Sequence, residues 1–215
     1  MTVLAIDTST SACSAAVLSQ GRVLAHALRA MARGQSEALM PMVAEVMAEA
    51  GLGFDRLDLL AVTVGPGAFT GLRIGLAAAR GLALATGLPL AGVSTPLAVA
   101  AAVPDSERAG RTILAVIESR RDEAWVQAFD PDLVALGPVA ALLPEQAAAL
   151  VSGPLVVVGE GAGRVLALRP DAIAATAPAW PDAVTVARLA AAQWPAGQSL
   201  APEPLYLRPP DVTMP

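Results

Sequence analysis

The chain has 215 residues, of which 55% are hydrophobic and 15% charged, and its formal net charge is −5. This composition excludes a disordered chain, and the length suffices for one large domain or two small ones. Phosphate affinity depends on clustered cations, so a net negative chain is not expected to hold nucleic acid by itself. All 14 basic residues are arginine, which excludes lysine Schiff-base chemistry and a P-loop lysine.

The sequence also indicates the cellular compartment of the protein. Cys13 is the single cysteine, so no internal disulfide can form and a reducing environment is expected. Met1–Val3 leads directly into a strand-like run with Asp7, which is unlike a signal peptide. Gly81–Val103 carries no charge and has the length of a membrane span, but its prolines and glycines divide it into shorter elements. We therefore expect a cytoplasmic protein with no membrane segment.

The N-terminal region predicts three antiparallel strands and a helix. Val3–Ser9 is typical of a buried strand that ends in a polar turn, and Cys13–Leu18 and Arg22–Leu28 predict a hairpin closed at Gln20-Gly21. Met31–Ala50 has helical periodicity. Its apolar stripe contains Leu39, Val43, Val46, Met47 and Ala50, with Met40 close beside it. Four of the six methionines lie in this region: Met31, Met40, Met42 and Met47. Methionine is common on surfaces that accept partners, so this helix is either ordinary core or a docking surface.

The chain is organised around a strand, a glycine-rich loop and a helix, at Leu59–Val64, Gly65–Thr70 and Gly71–Ala85. Thr70 is a candidate N-cap. Small residues share one face of the helix, at Gly71, Gly75, Ala78, Ala79 and Leu82. Each interior glycine costs about 1 kcal/mol relative to alanine, so close packing must compensate. The packing partner is either the chain's own sheet or a helix of another chain.

The loop has neither the P-loop nor the dinucleotide-binding pattern. Gly65-Pro66-Gly67 is followed by Phe69 and Thr70 before the next glycine, and no lysine follows. Nucleotide binding at this loop is therefore not predicted.

The second half repeats the pattern of the first. Pro104–Gly110 is polar and irregular, which suggests a first lobe over 1–104 and a second, smaller lobe over 105–215. Leu4–Ser9 and Ala115–Arg120 are both apolar runs that end in a carboxylate and a hydroxyl, which suggests two related halves. Further elements of the second half are strands at Thr112–Glu118, Glu123–Phe129, near Leu133–Leu136 and at Leu155–Gly159, and helices at Pro144–Val151 and Asp182–Trp194.

Catalytic residues are scarce. Cys13 and His26 share a face if Gln20-Gly21 forms a two-residue turn, and lie on opposite faces if the turn is bulged. One histidine and one cysteine cannot form a usual metal site. A magnesium site made only of carboxylates remains open, with Asp7, Glu118 and Glu160 as candidates at strand ends.

Several motifs together resemble the TsaB (YeaZ) family, a bacterial subunit of the machinery that makes threonylcarbamoyladenosine at position 37 of tRNAs reading codons that begin with A. The resemblance covers nearly the whole chain. It is carried by Leu4–Ser9 with Cys13-Ser14, the central Gly65–Gly75, Gly81-Leu82-Ala83, Gly92-Val93-Ser94-Thr95, and Pro204-Leu205-Tyr206-Leu207-Arg208.

The resemblance implies an α/β, actin-like ATPase (ASKHA, RNase H-like) fold of two similar lobes, each a mixed sheet flanked by helices. It also implies a non-catalytic role. The paralogous catalytic subunit, TsaD, has a metal-binding His-x-x-x-His pair after its Gly-Val-Asn turn, and the positions that match here are Thr95 and Val99. ATP, Mg²⁺ and the metal would then belong to partner subunits.

The resemblance further implies a partner surface on the helices Gln35–Ala50 and Gly71–Ala85, for TsaD or a second copy of the chain, in a four-helix bundle. We expect this interface to contain Leu39, Met42, Val43, Val46, Met47, Gly71, Leu72, Gly75, Ala78, Ala79 and Leu82. The ATPase subunit TsaE would join through the TsaB–TsaD complex, and tRNA would be bound only indirectly. Possible residual nucleotide or phosphate contacts are Asp7, Thr8, Arg73 and Glu118.

Two positions depart from the family pattern. Gln35-Ser36-Glu37 stands where family members often have His-Ser-Glu or His-Thr-Gln, and Glu118-Ser119-Arg120 stands where an Asp-Ala-Arg-type turn is usual. Both put contacts at these positions in doubt. Two enzyme classes remain as alternatives: a glycoprotease, whose ligands the chain lacks, and a small-molecule kinase that binds ATP between the lobes.

Overall fold

The first half of the chain forms one mixed five-stranded sheet. The computed structural model describes residues 1–207, so Arg208 of the last family motif lies outside the described residues. The strand order is β3-β2-β1-β4-β5, with β1 antiparallel to β2 and parallel to β4. The strands are β1 (Thr2–Asp7), β2 (Ala12–Ser19), β3 (Arg22–Ala30), β4 (Leu59–Gly65) and β5 (Leu90–Ser94).

The second half forms a sheet of the same topology. Its order is β10-β9-β6-β7-β8, and β6 is antiparallel to β7 and parallel to β9, so β6 occupies the position of β1. The strands are β6 (Thr112–Ile117), β7 (Ala124–Phe129), β8 (Ala140–Leu142), β9 (Leu155–Val158) and β10 (Ile173–Ala174). The prediction of an α/β fold with two similar lobes is confirmed.

The third strand of this sheet was expected near Leu133–Leu136, where the structure forms an isolated bridge. Leu133 has a φ of 66° and its amide donates to the carbonyl of Asp130, so the chain turns at this point, after which Ala135 pairs antiparallel with Phe129. The full third strand follows at β8.

The helices cover the faces of the two sheets. They are α1 (Gln35–Ala50), α2 (Phe69–Thr86), α3 (Thr95–Ala100), α4 (Asp105–Arg108), α5 (Pro144–Ala149), α6 (Ala162–Leu166) and α7 (Ala183–Gln193). Helices α1 and α2 cover one face of the first sheet, and α7 covers the other. Strands β1 and β4 are consequently buried on both faces, as their continuous apolar sequence predicts.

Helix α7 corrects the division of the chain. It lies within the range 105–215 that the sequence assigns to the second lobe, yet its side chains Ala183, Val186 and Ala187 pack on the first sheet. Beyond it, Leu200 pairs with Gly92 of the edge strand β5, and the amide of Leu205 donates to the carbonyl of Val64. The end of the described chain therefore belongs with the first lobe, because the open face of that sheet needs an apolar cover.

The lobes are joined through α3. Ala98 packs into the first lobe, whereas Val99 and Ala100 pack on the second sheet. The carboxylate of Glu160 adds a polar link, since its Oε1 accepts hydrogen bonds from the Ser11 amide (3.2 Å) and from Trp180 Nε1 (3.0 Å).

Two glycines let α2 lie directly against the end of β1. A Cβ on Gly71 would collide with the carbonyl oxygen of Thr8, and a Cβ on Gly75 would lie 2.6 Å from Thr8 Oγ1. Thr8 Oγ1 also donates a 2.7 Å hydrogen bond to the carbonyl of Gly71. Gly81 differs, because no described atom lies within 4 Å of a Cβ placed there.

The environments of Gly71 and Gly81 predict that a glycine-to-alanine substitution has opposite effects on stability at the two positions. Gly71→Ala should lower the free energy of unfolding by several kcal/mol, because the backbone of α2 must move away from Thr8. Gly81→Ala should raise it by about 1 kcal/mol, the helix-propensity difference. Urea denaturation of both variants tests this, and equal effects would contradict the packing described.

Candidate functional site

The predicted partner interface is mostly interior. Apart from Ala78 and Leu82, which are half-buried, its residues are buried between the helices and the first sheet. This burial corrects the predicted role as partner contacts for the following residues: Leu39, Met42, Val43, Val46, Met47, Gly71, Leu72, Gly75 and Ala79. Spacing by three and four identifies an apolar face, but it does not say whether the chain's own sheet or another protein covers it.

The opposite side of the two helices is the side that faces outward. Helices α1 and α2 contact each other on the sheet, and their outward side carries exposed small and apolar residues among charged ones such as Glu45 and Arg80. Leu84 is 89% exposed and Met40 is 43% exposed. We call Met40, Ala44, Ala77, Gly81 and Leu84 the outer face. The sequence pattern missed it because these residues do not continue the main apolar stripes.

Asp7 is a structural residue of the first lobe. It is fully buried at the end of β1, where its Oδ1 accepts hydrogen bonds from Thr63 Oγ1 (2.5 Å), Ser9 Oγ (2.6 Å) and the Ser9 amide (3.1 Å). Its Oδ2 has no hydrogen-bond partner among residues 1–207. Burial raises the pKa of Asp7 to about 6, against the effect of the hydrogen bonds, and the charge of Glu160 raises it further.

The four predicted phosphate contacts separate into two groups. Asp7 and Thr8 are buried and do not line the cavity, and Asp7 Oδ1 and Thr8 Oγ1 are bonded within the protein, so the structure does not place these two residues at a ligand-accessible surface. Arg73 and Glu118 do line a cavity, and for them the prediction stays open. Glu118 Oε1 accepts hydrogen bonds from the Arg120 amide (3.0 Å) and from Arg164 Nη1 (3.2 Å).

The positions that match a metal pair in the paralogue are core positions here. Thr95 and Val99 are both completely buried in α3. Within residues 1–207, no three His, Cys, Asp or Glu side chains are grouped as a metal site requires. The candidate carboxylate set of Asp7, Glu118 and Glu160 therefore does not converge.

Cys13 and His26 lie on opposite faces of the first sheet. The two-residue turn Gln20-Gly21 forms, with Ser19 paired to Arg22, but the register shifts by one residue between Val17 and Leu18. Cys13 then packs in the core beneath α1, where burial raises the pKa of its thiol to about 11. His26 Nε2 instead lies 3.0 Å from Asp182 Oδ1, beside the start of α7. The two side chains cannot form a dyad.

The departure at Gln35 has a structural role. Gln35 is 8% exposed, and its Nε2 donates to the carbonyls of Met31 (3.1 Å) and Thr10 (3.5 Å). It therefore fixes the start of α1 against the turn after β1. The predicted start at Met31 is wrong, because Gly34 has a φ of 91° and interrupts the helix.

An open cavity of about 860 Å³ lies between the lobes, in front of the first turns of α1 and α2. Its charged lining consists of Arg33, Arg73, Glu118, Arg120 and Arg121. We call it the interlobe cleft. The sequence drew attention to Arg73 and to the turn at 118–120, but the loop before α1 comes close to them only in the folded chain.

The C-terminal segment closes one side of the interlobe cleft. Arg73 Cζ lies 3.7 Å from the centroid of the Phe69 ring, and Arg73 Nε donates a 3.0 Å hydrogen bond to Tyr206 Oη. The Phe69 and Tyr206 rings are 5.6 Å apart, and both are nearly half exposed. Arg80 holds the same segment through hydrogen bonds to the carbonyl of Pro202. The final motif thus binds to α2, as far as Leu207.

The two repeated sheets, with helices on their faces and a cleft between the lobes, define an actin-like ATPase fold. The chain is similar to the activator of 2-hydroxyisocaproyl-CoA dehydratase from Clostridium difficile, with a TM-score of 0.55 and 11% identity over 92% of this chain and 97% of that one. At this identity the likeness concerns the fold alone.

Closer relatives identify the family. YeaZ from Pseudomonas aeruginosa has a TM-score of 0.80 and 30% identity, and the match covers 96% of this chain and 99% of that one. The chain belongs to the TsaB (YeaZ) family. A family model described as "TsaD: tRNA N6-adenosine threonylcarbamoyltransferase" also matches residues 28–132.

Two relatives carry the name "tRNA threonylcarbamoyladenosine biosynthesis protein TsaB". The chain is 38% identical to the one from Haemophilus influenzae over 58% of its own length, and 39% identical to the one from Escherichia coli K12 over 61%. The chain spans about half the length of these relatives, 52% and 56% respectively. Among residues 1–207, no helix is both long and apolar enough to cross a membrane.

Burial of Asp7 predicts a pH-dependent stability. The pKa is raised from 3.8 to about 6, so the folded state binds a proton more tightly than the unfolded state. Stability should therefore fall by as much as about 3 kcal/mol as the pH rises from about 4 to about 6, and stay level above that. Asp7→Asn should lose this slope.

Urea denaturation between pH 4 and pH 8 measures the effect. Glu49→Gln removes an exposed carboxylate of α1 and should keep the slope of the unchanged chain. Parallel profiles for Asp7→Asn and the unchanged chain would show that Asp7 is ionised in the folded state without a penalty.

Proposed function

We propose that the chain is a non-catalytic subunit of the system that makes N6-threonylcarbamoyladenosine at position 37 of tRNAs, where it binds and activates the catalytic TsaD subunit. The observation that carries this proposal is the outer face of α1 and α2. The family names support the pathway, and the outer face supports a role through protein contact.

The outer face has the properties of a surface against which a helix of another protein can pack. Leu84 is the most exposed large apolar side chain in residues 1–207, and Met40 adds a second. Gly81 weakens α2 by about 1 kcal/mol without any packing inside the chain. A neighbouring helix could approach closely at Gly81 and Ala77, with Leu84 and Met40 as the apolar anchors.

A protein that contains a lobe related to the first lobe of this chain is a suitable partner for the outer face. The matching TsaD model covers residues 28–132, which include both α1 and α2. A protein with an equivalent helix pair can pack its two helices against these two, giving a four-helix bundle. A second copy of the chain would use the same face and would compete. In the proposed assembly, TsaE joins through the TsaB–TsaD complex, and ATP, Mg²⁺ and the metal belong to the partner subunits.

The positions of reactive residues support a non-catalytic role. Thr95 and Val99 offer no ligating imidazoles and are buried in α3, and Cys13 and His26 are separated by the sheet. The chain would then act by positioning its partner, in the cytoplasm, where tRNA is modified.

Buried residues of the predicted interface are unsuitable for a binding test. Gly75 and Ala79 are buried against the sheet, so Gly75→Leu and Ala79→Arg would unfold the lobe as well as disrupt an interface. Leu84 and Met40 can be changed without touching the core.

Leu84→Arg, alone and with Met40→Arg, should weaken binding to the TsaD subunit by at least about tenfold, because a charge replaces a buried apolar anchor. Its thermal unfolding should match that of the unchanged chain. Isothermal titration with purified TsaD measures the affinity. Leu136→Arg is the matched control, since Leu136 is 57% exposed in the second lobe.

Equal affinity for the Leu84 and Leu136 variants would remove the outer face from the interface. A second measurement addresses the pathway: purified TsaD, TsaE and the threonylcarbamoyl-adenylate synthase should modify tRNA only when this chain is added. Undiminished modification without it would exclude the proposed role.

A further inference from the structure

The interlobe cleft is positively charged in a chain whose net charge is −5. Arg33, Arg73 and Arg120 have no ion-pair partner among residues 1–207. Glu118 is the one carboxylate that the described residues contribute to the lining, and it is already bound by Arg164 and by the Arg120 amide. Like charges that converge without a counterion raise the free energy of the folded state.

Two long helices add to this potential. Helices α1 and α2 both begin at the interlobe cleft, and neither has a side-chain N-cap among the described residues, because the cap positions are Gly34 and Ala68. Uncapped first-turn amides carry partial positive charge and can donate to an anion. Helix α1 has Glu37 in its first turn, which offsets part of this charge, whereas helix α2 has no acidic residue in its first turn.

Arg73 is held in a defined position at the interlobe cleft. It is the fifth residue of α2, just beyond the first turn. Its guanidinium is stacked on Phe69 and hydrogen-bonded to Tyr206. Because the guanidinium has further N–H groups, it can also donate to an anion that enters the interlobe cleft.

We propose that the interlobe cleft binds the phosphate groups of a ligand, with Arg33, Arg73 and Arg120 as the charged contacts and the first turns of α1 and α2 as amide donors. Arginine suits this ligand because its planar guanidinium can donate two parallel hydrogen bonds to one phosphate. The half-exposed rings of Phe69 and Tyr206 border the site and provide a surface on which a nucleobase can stack.

This site is distinct from the outer face and does not depend on partner docking. Phosphate groups of this kind occur both in an RNA strand and in a free polyphosphate or nucleotide. The sequence predicted that tRNA is held only indirectly, from net charge; the local charge of the interlobe cleft is opposite in sign to the net charge on which that expectation depends.

The test compares two double variants of equal net charge. Arg33→Gln with Arg120→Gln removes two cleft charges, and Arg22→Gln with Arg56→Gln removes two exposed arginines elsewhere in the first lobe. Binding of a fluorescein-labelled anticodon stem–loop RNA is followed by anisotropy as a function of salt, with inorganic triphosphate and Mg-ATP as competitors. Glutamine keeps the side-chain size, and circular dichroism verifies the fold.

The cleft variant should bind several-fold more weakly, and the slope of log affinity against log salt should fall by about 2, about 1 per lost contact. The control variant should behave like the unchanged chain. RNA binding that triphosphate displaces only weakly would identify RNA as the source of the phosphates, whereas tight triphosphate or ATP binding without RNA binding would identify a small ligand.

Three results would overturn the site. These are no binding of RNA, triphosphate or ATP; equal losses in the cleft and control variants, which would indicate general electrostatics; and equally tight binding of poly-glutamate, which would indicate a carboxylate ligand. Failure of the proposed partner role is distinguishable, because Leu84→Arg should leave these phosphate measurements unchanged.

Discussion

The close contact between α2 and the end of β1 determines much of the rest of this structure. Gly71 and Gly75 allow the helix backbone to reach Thr8, which then bonds to the carbonyl of Gly71. Because that side of α2 is used by the chain's own sheet, its remaining surface, with Gly81 and Leu84, faces outward. The same contact places the first turn of α2 at the interlobe cleft.

The ability of the chain to bind an anion depends more on how charge is distributed over its surface than on its net charge. The chain is net negative, yet Arg33, Arg73 and Arg120 come together from a loop, a helix and a turn in the other lobe. Over a Debye length of about 10 Å, these neighbouring charges act together, whereas distant carboxylates are largely screened. A net charge is therefore a weak argument against anion binding when the fold can concentrate one sign in a cleft.

Polar groups after β1 bond to one another inside the first lobe. Asp7 Oδ1 is bonded to Ser9 and Thr63, and Thr8 Oγ1 is bonded to the carbonyl of Gly71. Thr95 and Val99 lie inside α3. The two proposals therefore depend on exposed surfaces, namely the outer face and the interlobe cleft.

The sequence by itself determined most of the longer strands and helices of both halves, the relation of the halves to each other, and the family, because hydrophobic periodicity and the Gly65–Gly75 motif are local properties. It also identified α1 and α2 as the helices of the predicted partner surface. It did not determine the start of α1 or the position of β8. Only the tertiary structure decided that Leu39 and Gly75 face the sheet while Met40 and Leu84 face outward, since periodicity does not specify what covers an apolar face. The register shift at Val17 that separates Cys13 from His26, and the meeting of Arg33 with Arg120, likewise depend on contacts between residues far apart in the chain.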